Sequence, residues 1–288
     1  MKAVTTPVPI RSALLAPGHD EERLRAAAES AADAVYVDLE AGVPLDRLDD
    51  ARVLVSSLLP VLAAAGKLVV VRVNPVASGA TEADVEAVVR EGLYGIALAK
   101  IERPRDVRAL ASMLDAAERA AGLRRGHVVV HPMIESARAV RDAYRIARVT
   151  SRVAHMGGII APGGDLARSL GSDGSFAGTA TRYVREKVLV DARAARVQFP
   201  ISGIPVDRDE TVLRNAAHEA RKLGYEGLMI GYRSHAPVVN QIFTPTEGEV
   251  ARWRALATGD GSGRRAPDAE TREWARRRLA VAARFGVG

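Results

Sequence analysis

Short hydrophobic runs alternate along most of the chain with longer stretches in which apolar positions recur at helical spacing. The short runs fall at 11–17 (RSALLAP), 34–40 (AVYVDLE), 67–74 (KLVVVRVN), 95–102 (GIALAKIE), 127–135 (HVVVHPMIE), 155–165 (HMGGIIAPGGD), 197–204 (VQFPISGI) and 227–232 (GLMIGY). Most are almost continuously apolar rather than alternating, the pattern of parallel strands covered on both faces. Between them, Thr81 with Asp84 predicts a capping-box start, and Gly66 and Gly92 stand where helices should stop. TPTE (244–247) predicts a later helix with Thr244 as N-cap, Pro245 at N1 and Glu247 at N3.

Eight such units within about 250 residues predict an α/β fold of the closed (β/α)8 TIM-barrel type. An open doubly wound sheet competes, but the first strand is followed by APGHDEE, whose single glycine is no dinucleotide fingerprint. The barrel is expected to occupy 1–245 as the catalytic domain. Residues 246–288 are expected to form an appended C-terminal helical tail or lid, with a glycine-rich hinge at 257–268 (ATGDGSGRRAPD).

With 288 residues, 48% of them hydrophobic, the chain can bury a core without staples. The absence of cysteine excludes a disulfide framework, a zinc ribbon and a thiol nucleophile. No stretch suits a signal peptide or a membrane span, so a cytoplasmic protein with no membrane partner is expected. The formal charge of +6 comes with arginines crowded between Arg252 and Arg284. They suit a solvated helix face first and a phosphate-bearing ligand second. At 4% aromatic residues there is no stacking platform for single strands, and no nucleic-acid partner is expected.

Polar residues gather at the C-terminal ends of the predicted strands, where barrels place their chemistry: Asp38 and Glu40, Arg72 and Asn74, Lys100 and Glu102, Glu135, then Asp165. Each needs a partner once buried. Either they form an ion-pair network plugging the mouth, or they bind an anionic substrate and a metal. Glu135 and Asp165 offer hard oxygen donors suited to Mg2+ or Mn2+. Arg72 suits a carboxylate or enolate clamp, or neutralises Asp38 or Glu40, roles that can coexist. Lys100 is a Schiff-base lysine or an ion-pair partner of Glu102 or Glu40. His131, His155 and His235 are scattered, and ordinary polar roles are expected for them.

The segments RSALLAPG, ADAVYVDLE, VRVN, AKIE, IESARAV, GGDLARSLG and FTPTEGEV occur in an order covering roughly residues 11–250. In them the chain resembles the citrate lyase β-subunit-like branch of the HpcH/HpaI aldolase family, which includes malyl-CoA and citramalyl-CoA lyases. The resemblance implies a Mg2+-dependent carbon–carbon lyase of a 3-hydroxyacyl-CoA, such as citramalyl-, malyl- or citryl-CoA. The products would be an acyl-CoA and a 2-oxo acid, or the reverse condensation would run. It assigns Glu135 and Asp165 to the metal, Arg72 to the oxo acid or enolate oxygen, and Asp38 and Glu40 to orienting water or arginine. Lys100, Gly163 and Gly164 join Arg72 in substrate binding. Asp268, in APDAETREWARRRLA, would reach a neighbouring subunit's site as acid/base in a homotrimer or hexamer. Departures from the family pattern are Ala41 for an acid, Ala99 for a proline, Gly164 for a glutamate, and Gly231–Tyr232 for His-Pro. They leave room for an aldolase of free hydroxy-oxo acids, or for a binding or scaffold homologue.

Overall fold

In the computed structural model of the chain, residues 5–158, 161–176, 178–203, 208–259 and 266–287 are described. They divide into two compact units, Met1–Asn240 and Gln241–Gly288. The first unit is built on a parallel sheet. Its strands are β1 (Ser12–Pro17), β2 (Ala34–Asp38), β3 (Leu68–Val73), β4 (Leu93–Leu98), β5 (Val129–Pro132), β6 (Ile201–Ser202) and β7 (Gly227–Ile230). Their order is β5-β4-β3-β2-β1-β7-β6.

Two expected strands differ. Among its described residues HMGGIIAPGGD keeps one isolated bridge, Met133 to Gly157, with another just before it, Val130 to Val153, and residues 159–160 lie outside the described residues. Its glycine pairs favour turns over a ladder. Residues 152–157 still hydrogen-bond on both sides: Ile134 N–H donates to Gly157 O (2.8 Å) and Ile201 N–H to Met156 O (3.1 Å). A Cβ on Gly157 would stand 1.8 Å from Ile201 O, so the backbones pass too closely for any side chain there. The seventh run shrinks to Ile201–Ser202, just after Pro200, which has no N–H to give a ladder; residue 204 lies outside the described residues.

The helices are α1 (Glu21–Ala28), α2 (Leu48–Ala64), α3 (Thr81–Val88), α4 (Pro104–Ala120), α5 (Ala137–Ala147), α6 (Asp165–Leu170), α7 (Thr179–Ala194), α8 (Glu210–Leu223), α9 (Ala236–Phe243), α10 (Glu247–Thr258) and α11 (Ala269–Arg284). Gly66, with positive φ, follows the C-cap of α2 as expected, whereas α3 ends at Val88 with Val89 as its cap, and Gly92 turns the chain three residues later. Two caps differ from expectation. The α10 box is Thr246 with Glu249, two residues later than TPTE suggested. Thr81 and Asp84 form no capping box. Thr81 donates to Asn74 O (2.9 Å), and the buried Asp84 accepts from Asn74 N and Nδ2 and from Arg52 Nε. These tertiary partners outweigh the local cap.

Inside the sheet, Ala13, Ala34, Tyr36, Val70, Ala97, Met133, Ile201 and Met229 share one buried cluster. The strand period of two carries the same rows on to Asp38, Arg72 and Glu135. The N-terminal ends of the strands are tied by separate polar clasps. Arg11 grips Asp33 (2.7 and 2.9 Å) and Lys67 donates to Ala32 O (3.0 Å). The buried Arg152 binds Glu118 (2.6 and 2.7 Å), whose carboxylate also accepts Gly126 and Val128 N–H (both 2.8 Å).

In the second unit α10 and α11 pack together over Val250, Trp253, Ala275 and Ala282, with Trp274 edge-on to Trp253 at 6.2 Å. Thus α10 supplies the apolar surface that the terminal helix needs. Of the expected hinge, residues 260–265 lie outside the described residues. Among the described residues no helix is long and apolar enough to cross a membrane.

Candidate active site

Asp38 ends β2 and stands in register with Arg72 on β3. The guanidinium grips it with two bonds, Nε to Oδ1 and Nη2 to Oδ2, both 2.6 Å. The turn after β2 adds two more donors, Glu40 N–H to Oδ1 (2.9 Å) and Gly42 N–H to Oδ2 (2.8 Å). A Cβ at position 42 would sit 2.5 Å from Oδ2, so the turn requires glycine there. With four donors, Asp38 has its acceptor sites largely filled. Its work is to aim Arg72. Burial opposes the charge of Arg72, but the bonds and charge of Asp38, with Glu135 and Glu40 nearby, hold its pKa above the ordinary value. Its Nη1 remains, 3.4 Å from Glu40 Oε2.

Glu40, Lys100, Glu135 and Asp165 lie beyond the strands proper. β4 stops at Leu98, and Lys100 takes a left-handed turn (φ 49°). From there its backbone N–H donates to Glu135 Oε2 (2.9 Å). Its Nζ lies 2.5 Å from Glu40 Oε1 and 3.8 Å from Asp165 Oδ2. Of the two ion-pair partners expected for Lys100, the structure selects Glu40; Glu102 turns to Arg138 at 3.4 Å. Glu135 is 4% exposed. Burial pushes its carboxyl up to about 7, with Glu40 and Asp165 adding to the rise against the pull of Arg72 and the Lys100 N–H. Asp165 is not at a strand end: it opens α6 after Gly164, where a carboxylate suits the helix dipole. Arg168 binds it at 2.6 Å and also donates to Gly163 O. Gly163 (φ 69°) makes the turn, and Gly164 N–H is spent on Ala161 O (3.0 Å).

The histidines prove less scattered than their spacing suggests. His131 Nδ1 meets Tyr36 Oη at 2.8 Å, one inward-facing position below Asp38. His155 Nδ1 donates to Phe199 O (3.0 Å), so its Nε2 must accept from Tyr94 Oη (3.0 Å). The two imidazoles lie 6.2 Å apart in the sheet interior. Burial lowers His131 to about 3, with His155 adding, and lowers His155 to about 4. His235 is buried at the start of α9. Sequence spacing gives no sign of the His131–His155 approach or of Arg52 at Asp84, whereas Arg168 at Asp165 is an i,i+3 pair that helical spacing could have shown. The first two join segments separated in the sequence. In the second unit, Asp268 is the N-cap of α11, accepting Thr271 N–H (2.7 Å), which lowers its pKa.

The donor set fits a hard divalent cation. Glu40 Oε2 is buried and accepts no hydrogen bond, and Glu135 is a buried carboxylate whose pKa burial raises, with Glu40 and Asp165 adding to the rise. Among the described residues no three His, Asp or Glu side chains close to ligating distance. A cation would therefore draw on Glu135 and Asp165 and keep several waters, as Mg2+ does. The arrangement offers that cation seat beside a guanidinium whose Nη1 edge faces Glu40 at 3.4 Å, which suits a chelating, anionic substrate.

The family model "HpcH/HpaI aldolase/citrate lyase" matches residues 11–230. The citrate lyase subunit beta of Haemophilus influenzae is 30% identical over 247 residues, covering 85% of this chain and 84% of that protein. The mitochondrial citramalyl-CoA lyase of Rattus norvegicus is 26% identical over 254 residues, covering 85% and 74%. A citrate lyase beta subunit from M. tuberculosis, solved with oxaloacetate and magnesium, superimposes with a TM-score of 0.66 at 25% identity, covering 83% of this chain and 98% of that one.

Proposed function

The chain belongs to the HpcH/HpaI aldolase/citrate lyase family, and from that premise we propose that it is a Mg2+-dependent carbon–carbon lyase of a 3-hydroxyacyl-CoA. Citramalyl-, malyl- and citryl-CoA are the candidate substrates, with cleavage to an acyl-CoA and a 2-oxo acid or the reverse condensation. The observation that carries this reading is Arg72, locked by Asp38, beside three carboxylates gathered around Lys100. We read the sheet as a (β/α)8 TIM barrel in which residues 152–157 take the place between β5 and β6.

Glu135 and Asp165 would hold Mg2+, which when bound supplies Lewis acidity toward the carbonyl of the 2-oxo acid. In the cleavage direction the 3-hydroxyl would give its proton to a carboxylate of the site, for which Glu40 Oε2 is the candidate. As the C2–C3 bond breaks, the hydroxyl oxygen becomes the carbonyl of the 2-oxo acid and the bond's electron pair passes to the thioester as an enolate. The Nη1 edge of Arg72, which faces Glu40, would hold the negative charge that develops. Asp38 keeps that edge in place and Glu40 keeps Lys100 beside it. Lys100, Gly163 and Gly164 border the space for the acid. The enolate carbon finally takes a proton, for which Asp268 of a neighbouring copy is the candidate donor in a homotrimer or hexamer. To act so it must leave its cap, where Thr271 favours the anion.

Incubation with each of the three CoA esters and with free hydroxy-oxo acids, with Mg2+ or with EDTA, tests the proposal by chromatography of the products. Metal-dependent release of acyl-CoA supports it. Turnover of the free acids alone identifies the aldolase alternative, and no turnover of any compound overturns a catalytic role.

A further inference from the structure

Among the described residues of the site, Lys100 reaches three carboxylates, and it does so with two different groups. Its backbone N–H holds Glu135 Oε2 (2.9 Å), while its ammonium lies 2.5 Å from Glu40 and 3.8 Å from Asp165. An extended residue at the end of β4 would keep the strand's alternation. The left-handed backbone (φ 49°) is what lets the N–H and the side chain serve different partners, a conformation that disfavours any residue with a Cβ. The charges explain why it persists. Asp38 takes both bonds of Arg72, whose Nη1 lies 3.4 Å from Glu40 and leaves Asp165 to other cations. Glu40, Glu135 and Asp165 then face one another with Lys100 as the inner cation and Arg168 on the rim of Asp165.

We infer that the Lys100 ammonium is a built-in counter-cation: it stands in for the divalent metal in the metal-free protein and gives up Asp165 when the metal binds, while its backbone N–H keeps Glu135 aimed. This rests on the metal reading of the site given above. Lys100 is thus a positioning residue whose two halves act oppositely on the metal. The backbone presents a ligand, and the ammonium competes for one. The competition also disfavours monovalent cations, which bring no more charge than the ammonium they would displace. The Nζ–Asp165 separation of 3.8 Å is that of a loose pair, easily surrendered, whereas the 2.5 Å contact with Glu40 gives the chain somewhere to stay.

Lys100→Met removes the ammonium. Lys100→Gly removes it too, keeps the N–H and relieves the left-handed backbone. Both variants and the wild type, as full chains, are melted in EDTA and across a MgCl2 series, and Mn2+ affinity is measured by calorimetry. Both variants should melt lower than wild type in EDTA, rise further with metal, and bind it on the order of tenfold tighter, because one competing charge is gone. Equal or weaker metal binding in both overturns the inference. If the wild type itself shows neither a metal-dependent rise nor a binding heat, the metal reading fails and the inference falls with it. Tighter binding in Lys100→Gly but not in Lys100→Met assigns the effect to backbone strain and overturns the role of the ammonium.

Discussion

Asp38 and Arg72 occupy paired positions on β2 and β3, and the guanidinium meets both carboxylate oxygens at 2.6 Å. A registered, two-pronged contact of this kind fixes the plane of the guanidinium, something a point charge on a flexible stem cannot reproduce. Replacing Arg72 with lysine should therefore lower kcat/KM on the order of 10²-fold, comparable to the loss of an oxyanion donor, with the fold retained by circular dichroism. A variant that turns over like wild type would make the arginine structural only.

Glu135→Gln and Asp165→Asn each keep the shape of a side chain and remove a charge. Metal-dependent turnover should be abolished in both, and the rise in melting temperature with MgCl2 should disappear. Full activity in protein stripped with EDTA would refute the metal site.

Much of this was legible in the sequence because parallel strands covered on both faces are written as apolar runs, and their polar ends announce a mouth. Asp38, Arg72 and Glu135 follow from counting by twos along β2, β3 and β5. What periodicity does not carry is the chain after each strand. Asp165 reads as a strand end because GIIAPGG is apolar, yet Gly164 is the N-cap of α6 and Asp165 its first residue. The left-handed turn at Lys100 falls on a residue type that seldom adopts it, so no local signal points to it. Asp84 reads as a cap from spacing alone, and only its contacts with Asn74 and Arg52 show a different use.

Stability should depend on pH through the buried histidines. With folded values of about 3 for His131 and about 4 for His155, both lie below the ordinary value of about 6.5, so acid protonates the unfolded chain first. Stability is then full above about pH 6.5 and is lost as the pH falls toward the folded values. The slope is up to about 1.4 kcal/mol per pH unit for each imidazole. Glu135, pushed up to about 7, titrates with the opposite sign, so the test is the difference between wild type and His131→Asn. Between pH 5 and 6.5 (roughly the window below the ordinary histidine value) the variant should show the shallower loss of melting temperature. Parallel curves would contradict a neutral His131.

The role proposed for Asp268 can be separated from its cap. Asp268→Ala and Glu135→Gln proteins should each be inactive alone and regain activity when mixed and allowed to exchange subunits. Exchange confirmed by mass, without recovered turnover, would leave Asp268 as the N-cap of α11 and nothing more.

The clasps at the N-terminal ends of the strands, Arg11 with Asp33, Lys67 on Ala32 O, and Arg152 with Glu118, share no residue with the mouth where the chemistry is gathered. Foundation and workshop are thus separately furnished. A lineage could exchange loop residues such as Gly164 or Gly231 in pursuit of a new acyl group while the scaffold beneath stayed tied. Directed evolution toward other substrates should begin at those loops and leave the foundation alone.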